Sequence, residues 1–231
     1  MENLQNLAVR ANRILDEFMT NKKFVDWVRN DRSENGFYDF YITDLDSSFE
    51  IDLVCGQFKW VIVDYGYGVV YKLDFEDTGF EATRAEYEFY QHYVKCNSLE
   101  KFFGEIEFVC DYSFGINKYG TEVALSVYAM EMASIDEFRL ESDTLESISH
   151  NSKKKSFNEL DEESRNEVFD EIDGLNEVEV LINAFSQHYD TEELEDLKEF
   201  LENYEVNDLH SNNIGYTDRG PIIIDYQFYY I

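Results

Sequence analysis

Three oxygen-bearing side chains lie close together in the stretch VNDLHSNNIGYTDRGPIIIDY. Asp208 is followed five positions later by Asn213, and Asp225 closes the apolar run PIIID. Magnesium takes hard oxygen ligands, usually one or two carboxylates completed by phosphate oxygens, so such a loop can hold a metal–phosphate group. A further carboxylate at the same place can take the proton of an attacking hydroxyl. Asx residues alone are ordinary turn formers; the spacing, with an apolar strand ending in Asp225, makes them a candidate site.

The stretch resembles the catalytic loop and metal-binding strand of the protein-kinase-like superfamily. It is nearest in wording to the DLHxxN form of aminoglycoside-phosphotransferase-like kinases and small phage-encoded kinase-like proteins. The resemblance implies a catalytic carboxylate at Asp208 and metal ligands at Asn213 and Asp225. It also implies parts upstream. VVYKL around Lys72 resembles the third-strand lysine motif, whose ammonium contacts nucleotide phosphates. The segment ATRAEYEFYQHY offers Glu86 or Glu88 as the ion-pair partner of Lys72, with Glu86 preferred. YAMEMA resembles a hinge at which adenine would bond backbone groups near Glu131 and Met132. Gly56, in VCGQFKW, is the one glycine placed to let backbone approach a phosphate, since no GxGxxG exists. The implied cofactors are ATP and Mg²⁺, and the implied acceptor is a hydroxyl of a protein or small molecule.

The pattern also departs from the family. Val206 and Asn207 precede Asp208 where many protein kinases carry His-Arg, and DYQ stands in place of DFG. No activation segment follows Asp225 in the sequence, so a reduced helical C-lobe without a conventional peptide site is expected. His210 is expected to be a loop histidine bonded to backbone.

Elements must position these residues. Leu4, Leu7, Ala8, Ala11, Ile14, Leu15 and Phe18 recur at helical spacing, with a short helix following at Phe24–Val28. Residues 1–48 have no place in the resemblance and read as an N-terminal helical extension. Three antiparallel strands are expected at Phe49–Cys55, Lys59–Asp64 and Val69–Phe75, with YGYG as a hairpin loop. A helix at Thr83–Val94 follows, then strands near Ile106–Phe114 and Thr121–Met130. Residues 49–132 thus read as an N-lobe with a five-stranded antiparallel sheet. Residues 133–231 read as the reduced C-lobe, with helices at Phe157–Glu171, Val178–Tyr189 and Thr191–Tyr204, the last capped by Thr191. NSKKKS reads as an exposed loop and Pro221–Tyr226 as a short strand. The predicted fold class is α+β: a two-lobed, protein-kinase-like architecture.

Composition bounds the function. Of 231 residues, 44% are hydrophobic and 16% aromatic, enough for a packed core. No run of about 18 apolar residues and no secretory leader are visible, so a cytoplasmic protein is expected, in a host cytoplasm if viral. Cys55, Cys96 and Cys110 form no CxxC pair and read as small buried hydrophobes. Fifty acidic against 19 basic residues give a net charge of −31, which repels nucleic acid and anionic membrane. From Glu131 to Asp208 there are 25 acidic and 6 basic residues. Carboxylates held on helices in this way can imitate nucleic acid. The alternative function is therefore a catalytically inactive, kinase-like acidic protein that occupies a basic partner. High acidity and compact size also resemble viral or mobile-element proteins.

Overall fold

The computed structural model describes residues 4–30, 49–55, 60–75 and 82–225. The fold is α+β and divides into two compact units. The first comprises Met1–Cys96 with Glu105–Met132, the second Asn97–Gly104 with Ala133–Ile231.

The first unit is built on a five-stranded antiparallel sheet: β1 (Ile51–Cys55), β2 (Trp60–Asp64), β3 (Val69–Phe75), β4 (Ile106–Ile116) and β5 (Glu122–Glu131). The spatial order is β1-β2-β3-β5-β4. Helix α3 (Ala82–Phe89) interrupts the chain between β3 and β4, so β5 returns to pair with both. Strand alternation sorts side chains to two faces. Leu53, Trp60, Ile62, Val69, Tyr71, Leu73, Phe75, Val123, Leu125 and Val127 are buried on one face.

Helices α1 (Leu4–Met19) and α2 (Lys22–Asn30) cover that face. Leu7, Ala11, Ile14, Leu15 and Phe18 of α1, with Phe24, Trp27 and Val28 of α2, share one core with the sheet. Trp27 stacks on Trp60 at 4.3 Å and an interplanar angle of 3°. Arg10 reaches from α1 to Asp64, which is fully buried, with Nε 2.7 Å from Oδ2 and Nη2 3.0 Å from Oδ1. The carboxylate holds the guanidinium pKa above its ordinary value, against the cost of burial. Arg29 of α2 donates to the Phe114 carbonyl of β4. The segment expected to stand apart as an extension therefore contributes, in its described helices, eight of the twenty buried residues of this core.

The opposite face of the sheet holds α3. It is followed by a π-helical turn, Tyr90–Val94, whose cap N–H of Lys95 bonds the Tyr90 carbonyl. The expected single helix thus changes pitch after Phe89.

The second unit carries α4 (Glu137–Lys153), α5 (Glu162–Ile172), α6 (Glu177–Phe185) and α7 (Thr191–Asn203). A small antiparallel sheet joins β6 (Ser134–Ile135), β7 (Ile214–Thr217) and β8 (Gly220–Ile223). Several expectations change here. NSKKKS is no simple loop: Asn151–Lys153 finish α4, and Lys154 caps it in left-handed conformation. The Phe157–Glu171 helix becomes a 3-10 turn at Phe157–Glu159 and α5. The cap of α7 is Asp190, not Thr191; the Glu193 carboxylate, three residues on, accepts from the Asp190 N–H. Cys96 is exposed and Cys110 half-buried, so neither is a fully buried hydrophobe. Lys59, Gly56 and Tyr226 lie outside the described residues.

The segment Asn97–Gly104, between α3 and β4 in sequence, packs into the second unit. Phe102 and Phe103 are fully buried there. Phe102 lies edge-on to Tyr189 at 4.8 Å, Phe103 to Phe200 at 6.0 Å, and Gly104 N–H bonds the Ile223 carbonyl at 2.8 Å. The expected division at residues 132/133 is crossed by this segment.

Candidate functional site

In the first unit, Lys72 points to the α3 face of the sheet, out of phase with Tyr71 and Leu73. Its Nζ lies 2.7 Å and 2.9 Å from the two carboxylate oxygens of Glu86. Both side chains are buried, at 6% and 1% exposure. Asp74, two residues on along the same face, accepts the N–H groups of Thr83 (3.2 Å) and Arg84 (2.6 Å) at the start of α3. A carboxylate there meets the exposed amides and positive dipole end of the helix. Strand β3 therefore grips α3 twice, through Asp74 at its start and Lys72 one turn later, and this sets the position of Glu86. Glu88 instead pairs with Arg84 at the surface, at 3.0 Å.

Glu131 and Met132 offer less to a purine than expected. The Met132 N–H is bonded to the Gly68 carbonyl at 3.2 Å, and the Glu131 N–H to the Glu105 carbonyl at 3.4 Å. A purine using these donors would compete with existing backbone bonds.

In the second unit, Asp208, Asn213 and Asp225 meet around one loop. Asp208 has φ +63°, the left-handed region that Asp tolerates better than most residues. This reverses the chain after Val206, whose N–H bonds the Leu201 carbonyl. Leu209 is buried, and its N–H bonds Glu177 Oε2 at 3.1 Å. The Asn213 amide is fixed by donation from Nδ2 to the Asp208 carbonyl at 2.7 Å. Its backbone carbonyl accepts Ile224 N–H (2.9 Å) and Asp225 N–H (3.4 Å), which seats Asp225 beside Asn213.

With Nδ2 committed, Oδ1 is the oxygen that the Asn213 amide can offer a cation. The donor set of Asn213 and Asp225 is one amide oxygen and one carboxylate, hard ligands that suit Mg²⁺ when phosphate oxygens or water complete the shell. Among the described residues no three His, Cys, Asp or Glu side chains gather as a metal-binding group. An all-protein cage is thus not what these residues form.

Two residues at this loop escaped the sequence as site-forming groups. Glu177 lies 32 positions from Leu209 and reads only as a first-turn acid of α6. His210 caps the 3-10 turn Ser211–Asn213, its Nδ1 accepting the Asn212 N–H at 3.2 Å, while its Nε2 lies 3.3 Å from Asp208 Oδ1. The backbone bond agrees with the loop role expected of it; the approach to Asp208 is additional. An open cavity of about 600 Å³ along α7, lined in part by Asp196, Glu199 and Tyr204, includes none of the loop residues.

No protein-family model matches the chain. Neither a curated protein nor a solved structure matches it. Among the described residues no helix is long and apolar enough to cross a membrane.

Proposed function

We propose that the chain is an ATP- and Mg²⁺-dependent phosphotransferase of protein-kinase-like design. The observation that carries the reading is the buried Lys72–Glu86 pair. Burying two charges is costly, and replacement by apolar residues is often neutral or stabilising. A lysine held in this way, on a strand and by a helix carboxylate, suits a role as an oriented phosphate contact. The loop that gathers Asp208, Asn213 and Asp225 supports the same reading from the other unit.

In this reading Lys72 neutralises charge on the nucleotide phosphates and Glu86 orients Lys72. Asp208 orients the acceptor hydroxyl and takes its proton. Asn213 and Asp225 hold Mg²⁺, which when bound supplies charge neutralisation at the phosphates. Catalysis then rests on positioning and electrostatics. The acceptor is a hydroxyl of a protein or small molecule.

The test is thermal unfolding of wild type and Asp225→Asn with ATP, with and without Mg²⁺. A ligand at about 100 times its Kd stabilises the native state by about 2.7 kcal/mol. A magnesium-dependent upward shift in wild type, lost in the variant, is expected. No shift at millimolar ATP sinks the reading. The second reading then leads: an acidic protein occupying a basic partner. It draws on the 25 acidic against 6 basic residues from Glu131 to Asp208, most of them on α4–α7. Such binding should weaken steeply as salt rises.

A further inference from the structure

We infer that Asp74 is a positioning residue for the phosphate contact at Lys72, an assignment that rests on the phosphotransferase reading above. Asp74 is buried at 4% exposure, as is Lys72 two residues earlier. Strand alternation puts both on the face that α3 covers, about 7 Å apart along β3. A charge on a covered strand face needs a partner, or burial is costly. Asp74 finds its partners in the backbone of α3. Ala82 opens that helix, so Thr83 and Arg84 are its second and third residues, whose N–H groups have no carbonyl partner within the helix. A residue just before the first turn usually bonds them. Here a strand residue does so, nine and ten positions earlier in the chain. Thr83 N–H donates to Asp74 Oδ1 at 3.2 Å and Arg84 N–H to Oδ2 at 2.6 Å. The Thr83 hydroxyl is buried with no hydrogen-bond partner among the described residues, so it adds no second cap.

The effect on Lys72 is geometric. Helix α3 runs for eight residues, fewer than an isolated helix needs to persist in water, so its attachments decide its orientation. Beyond its far end, Gln91 donates to the Ile106 carbonyl at 3.1 Å. Asp74 holds its start. Glu86 lies between the two and carries the Lys72 ammonium on both carboxylate oxygens. Released at Asp74, the first turn can swing about the far attachment and take Glu86 with it. Asp74 touches neither nucleotide nor acceptor in this assignment; it acts through Glu86 and Lys72.

Asp74→Asn keeps the shape of the side chain but one accepting oxygen, and turns an N–H₂ group towards the other helix N–H. Asp74→Ala keeps no acceptor. Two readouts are taken well below the melting temperature, with the fold of the first unit followed by Trp27 and Trp60 fluorescence. One is acylation of Lys72 by acetic anhydride, located by peptide mass spectrometry, with the exposed Lys118 as internal standard. The other is phosphate release from ATP with Mg²⁺, giving kcat and KM for ATP. A misplacement of about 1 Å can cost about 10²-fold in rate. Asp74→Asn is therefore expected to lower kcat about 10-fold or more. Acylation of Lys72 should rise about 10-fold or more as the first turn opens, with Lys118 unchanged. Melting should fall by only about 4–8 °C, as for the loss of a helix cap. Asp74→Ala should exceed Asp74→Asn in both readouts.

Unchanged acylation of Lys72 in both variants would confine Asp74 to capping and overturn the inference. Faster acylation with kcat and KM intact overturns it too, as does failure of the variants to fold, which would make Asp74 a structural residue. If wild type shifts its melting with ATP and Mg²⁺ but releases no phosphate, the shift is the readout: it should shrink in Asp74→Asn, and an equal shift overturns the inference. If wild type neither releases phosphate nor shifts, the phosphotransferase reading itself fails and takes this assignment with it, whatever the acylation of Lys72 shows.

Discussion

Removing one member of the Lys72–Glu86 pair should unfold the first unit far more readily than removing both. At 2.7 Å and an effective dielectric of about 20, the attraction between the two charges is roughly 6 kcal/mol. Desolvation of each ion costs several kcal/mol, so the pair as a whole contributes little net stability. A buried charge that loses this partner loses that attraction and keeps its desolvation cost. Glu86→Gln or Lys72→Met should each cost about 3–5 kcal/mol, whereas Lys72→Met combined with Glu86→Leu should lie near wild type or above it. Both tryptophans of the chain, Trp27 and Trp60, stack in the core of the first unit, so their fluorescence reports on that unit alone. Urea slopes for small domains are about 1–3 kcal/mol per molar, so each single variant should lower the midpoint by about 1 M or more. Single variants within about 0.5 kcal/mol of wild type would show that water reaches the pair. A double variant as unstable as the singles combined would show that the pair is a net stabiliser. Either result refutes the reasoning. The recovered double variant should still fail to respond to ATP and Mg²⁺.

Two further outcomes are expected. A Cβ at Gly215 would sit 2.4 Å from the Ala133 Cβ. Gly215→Ala should therefore destabilise the second unit by about 1–3 kcal/mol, and Ala133→Gly added to it should restore the melting temperature. Burial, with the Asp74 carboxylate adding to it, pushes the Tyr128 hydroxyl up to about 12. The folded state keeps this proton longer than the unfolded chain does. Its contribution is therefore full below about pH 10 and lost as pH rises towards 12. Urea midpoints followed from about pH 9 to pH 12 should fall less steeply in Tyr128→Phe than in wild type.

The five strands of the first unit were legible because their side chains alternate between two packed faces, a period that no helix shares. Lys72 was legible as a charged residue inside such a strand, and Glu86 as a carboxylate on the helix that follows. What the pattern could not convey was the choice between Glu86 and Glu88. That choice depends on how Asp74 anchors the start of α3, a contact between backbone and side chain with no sequence period. Residues 4–30 were readable as helices but not as a covering layer, since an amphipathic stripe does not name the surface it packs on. Asp190 displaced Thr191 as a cap because the box needs Glu193 three residues on, and either residue could have begun the helix. Glu177 was invisible as a support of the loop. Its role exists only once α6 and Leu209 have been brought together by the fold.

The placement of Asn97–Gly104 has a consequence for how the protein is made and cut. On the ribosome these eight residues emerge well before β8, whose Ile223 carbonyl receives the Gly104 amide. Phe102 and Phe103 must therefore wait, uncovered, at least until Tyr189 and Phe200 have been synthesised. A nascent chain in that state displays two adjacent aromatic rings, the kind of surface that chaperones hold and that aggregates otherwise. Expression vectors split at Met132 would inherit the same defect permanently: one fragment would carry two orphaned rings and the other an empty socket for them. Co-expression of the two fragments should rescue solubility where either alone fails.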